Sequence, residues 1–252
     1  NISSLVYMKF LKKIIGLFNY KLVEKNLIKN TRDISSYTKL NLKNLIENYI
    51  KNYGITYLIQ IGANDGKRFD EINFFIKKYK IKSLLVEPIE NYFHKLKNNY
   101  KDLDFVKFEN SAISVENEIS YLFNVKEKYL NNYDDHINAL ASFDKNHLIK
   151  HGVKKHHIER KKTNTISINK LISKYKINEL DLLFVDAEGY DGKIVYDFFI
   201  NSNLKPIIIF EFIHIENKLF KKLLELMVNK KYYFFRVEEN LICYPQGKEF
   251  IV

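Results

Sequence analysis

Ten consecutive residues, Tyr57-Leu58-Ile59-Gln60-Ile61-Gly62-Ala63-Asn64-Asp65-Gly66, constrain the fold more than any other stretch. The apolar half is short enough for a buried strand. It breaks into a glycine-flanked turn, and a helical spacing follows at Phe69, Ile72, Phe75, Ile76 and Tyr79. A buried strand that feeds a helix through a tight turn is the opening unit of a doubly wound α/β sheet. Gly62 and Gly66 can take positive φ or leave room where a side chain would block a ligand. The dinucleotide fingerprint G-x-G-x-x-G is not met. With Gly62 as its second glycine, Gln60 and Asp65 stand where the outer glycines belong, which disfavours a nicotinamide cofactor.

Two further apolar runs end in acid. Leu182-Leu183-Phe184-Val185 discharges Asp186 and Glu188, and Lys82-Ser83-Leu84-Leu85-Val86 discharges Glu87 before Pro88. Open α/β sheets bind ligands at the carboxyl ends of their strands, and a carboxylate there can accept both hydrogen bonds of a ribose diol. The remaining pattern continues the alternation. It predicts a helix over 91–100, a third strand over 103–108, a short extra strand over 119–123, and a helix over 191–201. A fifth buried strand over 206–213, a helix over 216–229 and a closing hairpin of 232–237 with 241–244 complete it.

Taken together, these residues resemble the FkbM family of S-adenosylmethionine-dependent methyltransferases, over roughly residues 55 to 245. The G-A-N-x-G motif is matched by Gly62-Ala63-Asn64-Asp65-Gly66, the acidic E-P by Glu87-Pro88, and N-x-A by Asn110-Ser111-Ala112. D-x-E-G is matched by Asp186-Ala187-Glu188-Gly189, and the proline-aliphatic-glutamate segment by Pro206 to Glu211. The resemblance implies a Rossmann-like class I methyltransferase fold, an α/β architecture whose mostly parallel seven-stranded sheet ends in an antiparallel strand. It implies that Gln60, Gly62, Asn64, Asp65 and Gly66 hold the methionyl end of S-adenosylmethionine, that Glu87 binds the ribose, and that Ser111 and Ala112 lie beside the adenine. Asp186 then sits between cofactor and acceptor, and Glu188, Glu211 and His214 serve acceptor binding or proton removal. Gln60 stands where many such enzymes carry an acid, so it can accept a hydrogen bond from the methionyl ammonium without charge attraction. The acceptor class implied is a hydroxyl of a sugar or glycan. RNA methylation and a non-catalytic binding role are the alternatives.

The chain of 252 residues suits one catalytic domain, read as 51–252, behind a helical extension over 1–50. Its 46% hydrophobic and 15% aromatic content excludes general disorder, and its single cysteine, Cys243, excludes an internal disulfide framework and a cysteine metal cluster. The net charge of +11 invites a polyanion, but lysine far outnumbers arginine, the residue favoured for bidentate phosphate recognition; nucleic acid is therefore not the expected partner. In the extension, Met8, Leu11, Ile14 or Ile15, Phe18 and Leu22 recur at helical steps, interrupted by Lys9, Lys12, Lys13 and Lys21. That is too charged for a membrane span and leaves a packed helix or a basic helix lying on anionic lipid. A cytoplasmic enzyme, at most peripheral to the membrane, is expected. Residues 124–162 hold five of the seven histidines and read as an inserted lid or acceptor segment, or as a solvated basic face. His147 and His151 have helical i, i+4 spacing, but no third ligand stands at a recognised spacing, so no metal is expected.

Overall fold

The computed structural model describes residues 41–68, 70, 72–115 and 119–248. The amphipathic pattern from Met8 to Leu22 and the residue Phe69 lie outside the described residues. Helix α1 (Leu42–Tyr53) opens on Asn41, whose side chain accepts the backbone N–H of Asn44 at 2.8 Å, and closes on Gly54 in the left-handed region. Its buried stripe of Leu42, Leu45, Ile46, Tyr49 and Ile50 joins the core, so position 50 falls inside a helix of the catalytic unit.

Strand β1 (Tyr57–Ile61) is followed by α2 (Asn73–Tyr79), β2 (Lys82–Val86), α3 (Glu90–Asn99) and β3 (Val106–Glu109). The third strand starts three residues later than the sequence pattern suggests, because Leu103 turns back on Tyr100 through its backbone N–H. After an excursion the chain returns with β8 (Leu182–Val185), α7 (Asp191–Asn201), β9 (Ile207–Glu211), α8 (Asn217–Asn229), β10 (Tyr232–Val237) and β11 (Asn240–Pro245). The seven strands lie in the order β10-β11-β9-β8-β1-β2-β3, and all are parallel except β11, which runs antiparallel to both β9 and β10. Successive residues face opposite sides of the sheet. Leu58, Leu85 and Phe184 pack with α1 and α2, while Ile59, Leu84 and Leu183 pack with α7 and α8. With both faces covered, the central strands read as continuous apolar runs.

The excursion builds a second sheet in the order β4-β7-β5-β6, from β4 (Ala112–Ile113), β5 (Ile119–Val125), β6 (Ala141–Ser142) and β7 (Ile158–Ile166). Short helices α4 (Asp135–Ala139) and α5 (Lys145–Lys150) lie between β5 and β7, and α6 (Ile168–Lys174) leads back towards β8. The extra strand is therefore longer than its apolar signal. Its partner β7 begins inside the basic run, where Arg160, Lys161 and Lys162 are exposed and the Arg160 guanidinium lies 3.7 Å from the Tyr121 ring centre. Beneath them Val125, Leu148, Val153 and Ile158 form a satellite core that fixes α5 against the second sheet. No helix among the described residues is long and apolar enough to cross a membrane.

Candidate active site

The chain leaves β1 for β2 on one side and returns to β8 on the other, so the crevice between the ends of β1 and β8 is the topological switch point. Gly62 makes that crevice possible. Its φ is +81°, and a Cβ built on it would stand 1.8 Å from the Asp186 carbonyl oxygen. The Asp186 N–H meanwhile donates to the Ile61 carbonyl at 3.0 Å, which locks the two strand ends together. Gly66 has a different reason: its missing Cβ makes room for Leu96 and Tyr100, so it serves packing of the turn on α3.

One cavity opens directly above the switch point, lined by Gly62, Asn64, Glu87, Ser111, Ala112 and Asp186, with Phe143 and His136 from the excursion closing over it. Glu87 is buried, and its oxygens accept the backbone N–H groups of Asn64 and Ile89, both at 2.8 Å. Each carboxylate oxygen keeps a second lone pair, enough for a diol. Burial pushes the Glu87 carboxyl up to about 7 in spite of those two donors. Asn110 Nδ2 donates to the Glu87 carbonyl at 2.8 Å, and Ser111 Oγ donates to Glu109 Oε1 at 2.7 Å, so the adjoining wall is held by side-chain bonds to strand ends. Asn64 takes the left-handed conformation at φ 49°, as asparagine does most readily among residues with a side chain. A bare glycine floor, a carboxylate with spare lone pairs and a small, partly apolar wall at Ala112 fit an adenosyl ligand.

A second chamber adjoins the first and shares Gly62, His136, Asp186 and Glu188 with it. Its own walls include Gln60, Glu211, His151 and His214, with Glu238 and Glu239 from the β10–β11 turn. Asp186 is accessible from the cleft yet ringed by protein. That setting, with Glu188 and Asp70 nearby, pushes its carboxyl up to about 7. Glu211 is pushed up to about 7 by its burial and by Asp186 and Glu188. The His214 imidazole is held below its ordinary value by burial and by the neighbouring His147 and His151. Glu188 has φ 49°, a strained setting for a glutamate, and is pinned there: Ser142 Oγ donates to its carbonyl at 2.8 Å and its Oε2 lies 3.0 Å from His147 Nε2.

Of the residues singled out in the sequence, Gly62, Asn64, Glu87, Ser111, Ala112 and Asp186 line the first cavity, and Glu188, Glu211 and His214 join Asp186 around the second. Of the other three, two line neither cavity and one lines only the second. Asp65 turns inward, its oxygens accepting the backbone N–H groups of Lys67 and Arg68 and the Arg68 Nε, so it builds the turn without lining either cavity. Gly66 likewise lines neither. Gln60 faces the second chamber, donates Nε2 to Asp70 at 3.2 Å and keeps a buried Oε1 with no hydrogen-bond partner among the described residues.

The sequence pattern did not single out Asp191. Fully buried, it accepts the N–H groups of Ala187 and Gly189 and so shapes the turn that presents Asp186 and Glu188. An acid two residues beyond D-x-E-G at a helix start is the signal that could have found it. Of the excursion's basic residues, His136 and His151 reach the chamber, whereas Lys154, Lys155, Arg160 and Lys161 line neither cavity.

The sequence matches the Methyltransferase FkbM domain over residues 60–236, well over half of the chain. No curated protein is significantly similar in sequence. Among solved structures, the chain is similar to an O-methyltransferase from Bacillus cereus crystallised in complex with SAH, at 10% identity and a TM-score of 0.46, covering 94% of this chain and 97% of that one. It is similar to the METTL16 MTase domain at 11% identity and a TM-score of 0.44, over 81% of this chain but only 65% of that chain's length. It is also similar to a ribosomal protein L11 methylase from Lactobacillus delbrueckii subsp. bulgaricus, at 10% identity and a TM-score of 0.38, over 80% and 77% of the two chains. The family match agrees with the strand order, the glycine floor and the acidic strand ends: the chain belongs to the FkbM methyltransferase family and is an S-adenosylmethionine-dependent methyltransferase.

Proposed function

We propose that the enzyme methylates a hydroxyl oxygen of a sugar or glycan-linked acceptor, and that the acceptor enters the second chamber. The observation that carries this reading is the junction of the two cavities at Asp186 and Glu188. S-adenosylmethionine supplies a methyl group on a sulfonium sulfur, which must be met in line by an oxygen lone pair with water kept out. The chain's task is to orient the hydroxyl and take its proton. Asp186 faces both cavities, and a carboxyl whose pKa lies near 7 is matched to proton transfer at neutral pH. Glu188, Glu211 and His214 offer acceptors to neighbouring hydroxyls, as a polyhydroxylated ring requires. The same carboxylates disfavour a phosphate backbone at the junction, so the acidic chamber argues against RNA even though the chain as a whole is basic.

The test supplies methyl-labelled S-adenosylmethionine with neutral oligosaccharides in one arm and RNA in the other. Label is expected in the saccharide as a base-stable ether, and it should disappear from an Asp186→Asn variant that still binds SAH. Label confined to RNA would overturn the acceptor assignment.

A further inference from the structure

Three imidazoles meet at the back of the acceptor chamber. His147 projects from α5 and His151 caps the C-terminus of that helix one turn later, while His214 arrives from the far side, just past the end of β9. Their ring centres are 4.6 Å apart for His147–His151, 4.8 Å for His147–His214 and 5.5 Å for His151–His214. One nitrogen of each ring can be chosen so that all three lie within 4.8 Å of one another. A tetrahedral zinc ion with Zn–N bonds of about 2.0–2.1 Å needs those nitrogens roughly 3.4 Å apart. Modest side-chain rotation closes that difference.

We propose that His147, His151 and His214 form a binding site for a divalent transition-metal ion of the zinc type, open towards the acceptor chamber. The donor set decides the class, since imidazole suits zinc and its transition-metal neighbours while magnesium and calcium require oxygen ligands. The surroundings are those of a built site. His147 is buried, and its Nε2 lies 3.0 Å from Glu188 Oε2, the carboxylate-on-histidine arrangement that fixes the ring and leaves its other nitrogen lone pair to offer. Glu188 is itself held in its strained conformation by Ser142 and by the turn that Asp191 shapes. Gly189 packs against the same ring, with its absent Cβ position 3.4 Å from His147 Nδ1. His151 and His214 line the chamber, so an ion on the three rings would keep a coordination position facing the acceptor, the pattern of three protein ligands and one open site. An acceptor oxygen there would be positioned and made more acidic. This last role rests on the proposed function; the binding site does not.

The test uses the untagged full chain, stripped with a chelator and titrated with Zn2+ by calorimetry and with Co2+ by visible absorption. One equivalent is expected to bind at micromolar concentration or tighter, with cobalt d–d bands of nitrogen ligation. His214→Ala, at the exposed member of the triad, should weaken binding at least tenfold, as should His151→Ala at the half-buried one. His156→Ala, whose ring stacks edge-on to Tyr129 elsewhere in the excursion, should leave binding unchanged. Circular dichroism and SAH binding establish that each variant is folded. No saturable binding, or binding equal in the wild type and in both His151→Ala and His214→Ala, would overturn the site. Saturable binding that both variants lose, in a protein that transfers no methyl group to any saccharide, would uphold the site and sink the acceptor assignment instead.

Discussion

Asp186 is one of four residues that line both cavities, and its backbone N–H also ties β8 to β1. Asp186→Asn keeps that backbone bond and the side chain's shape and removes only the charge and the basic site. Turnover should fall more than tenfold, a barrier increase above about 1.4 kcal/mol, with thermal stability nearly unchanged. Because the carboxyl is pushed up to about 7, wild-type turnover should decline about tenfold per pH unit as the pH falls below that value, and the decline should vanish in the variant. Stopped-time methyl-transfer assays across pH 5.5–8.5 check both. An unchanged acid limb in the variant would move the proton acceptor to Glu211.

The contact between β1 and β8 is tight enough to make its own prediction. Gly62→Ala places a methyl where the Asp186 carbonyl stands and forces alanine to a φ of +81°. Neither strand end can yield without breaking a ladder buried on both faces, so the variant should lose roughly 3 kcal/mol or more and melt about 10 °C lower, measured by circular dichroism. Elements of this kind were legible in the sequence because both faces of the central sheet are covered, leaving unbroken apolar runs such as Leu182–Val185. The strand β7 was not. Its Arg160, Lys161 and Lys162 are exposed, so the pairing with β5 leaves no apolar alternation to read. The site divides along the same line. Glu87, Asp186 and Glu211 end buried strands and were visible as acids after apolar runs. The meeting of His147 and His151 with His214 depends on α5 and its C-cap reaching the turn after β9, which no residue spacing encodes.

At the scale of the molecule, the cavities hold carboxyl groups whose burial favours the protonated form. Burial raises Glu87 from the ordinary glutamate value to about 7, so its contribution to folding is fully present below about pH 4.5 and is lost as the pH rises through 7. That loss amounts to roughly 3 kcal/mol. In denaturant titrations, Glu87→Gln should be destabilising at pH 5 and become progressively less so, relative to wild type, by pH 8. Parallel wild-type and variant curves would show that Glu87 keeps an ordinary pKa. The last feature with a molecular consequence is the place of β11, made after β9 and β10 but inserted between them. Until that strand emerges from the ribosome, the edge of β9, with its Ile207-Ile208-Ile209-Phe210 run, has no partner on that side. An open apolar edge of this kind is a template for pairing with another chain. During synthesis, therefore, nascent chains stalled before Asn240 should aggregate or recruit chaperones, and release of the final hairpin should end that exposure.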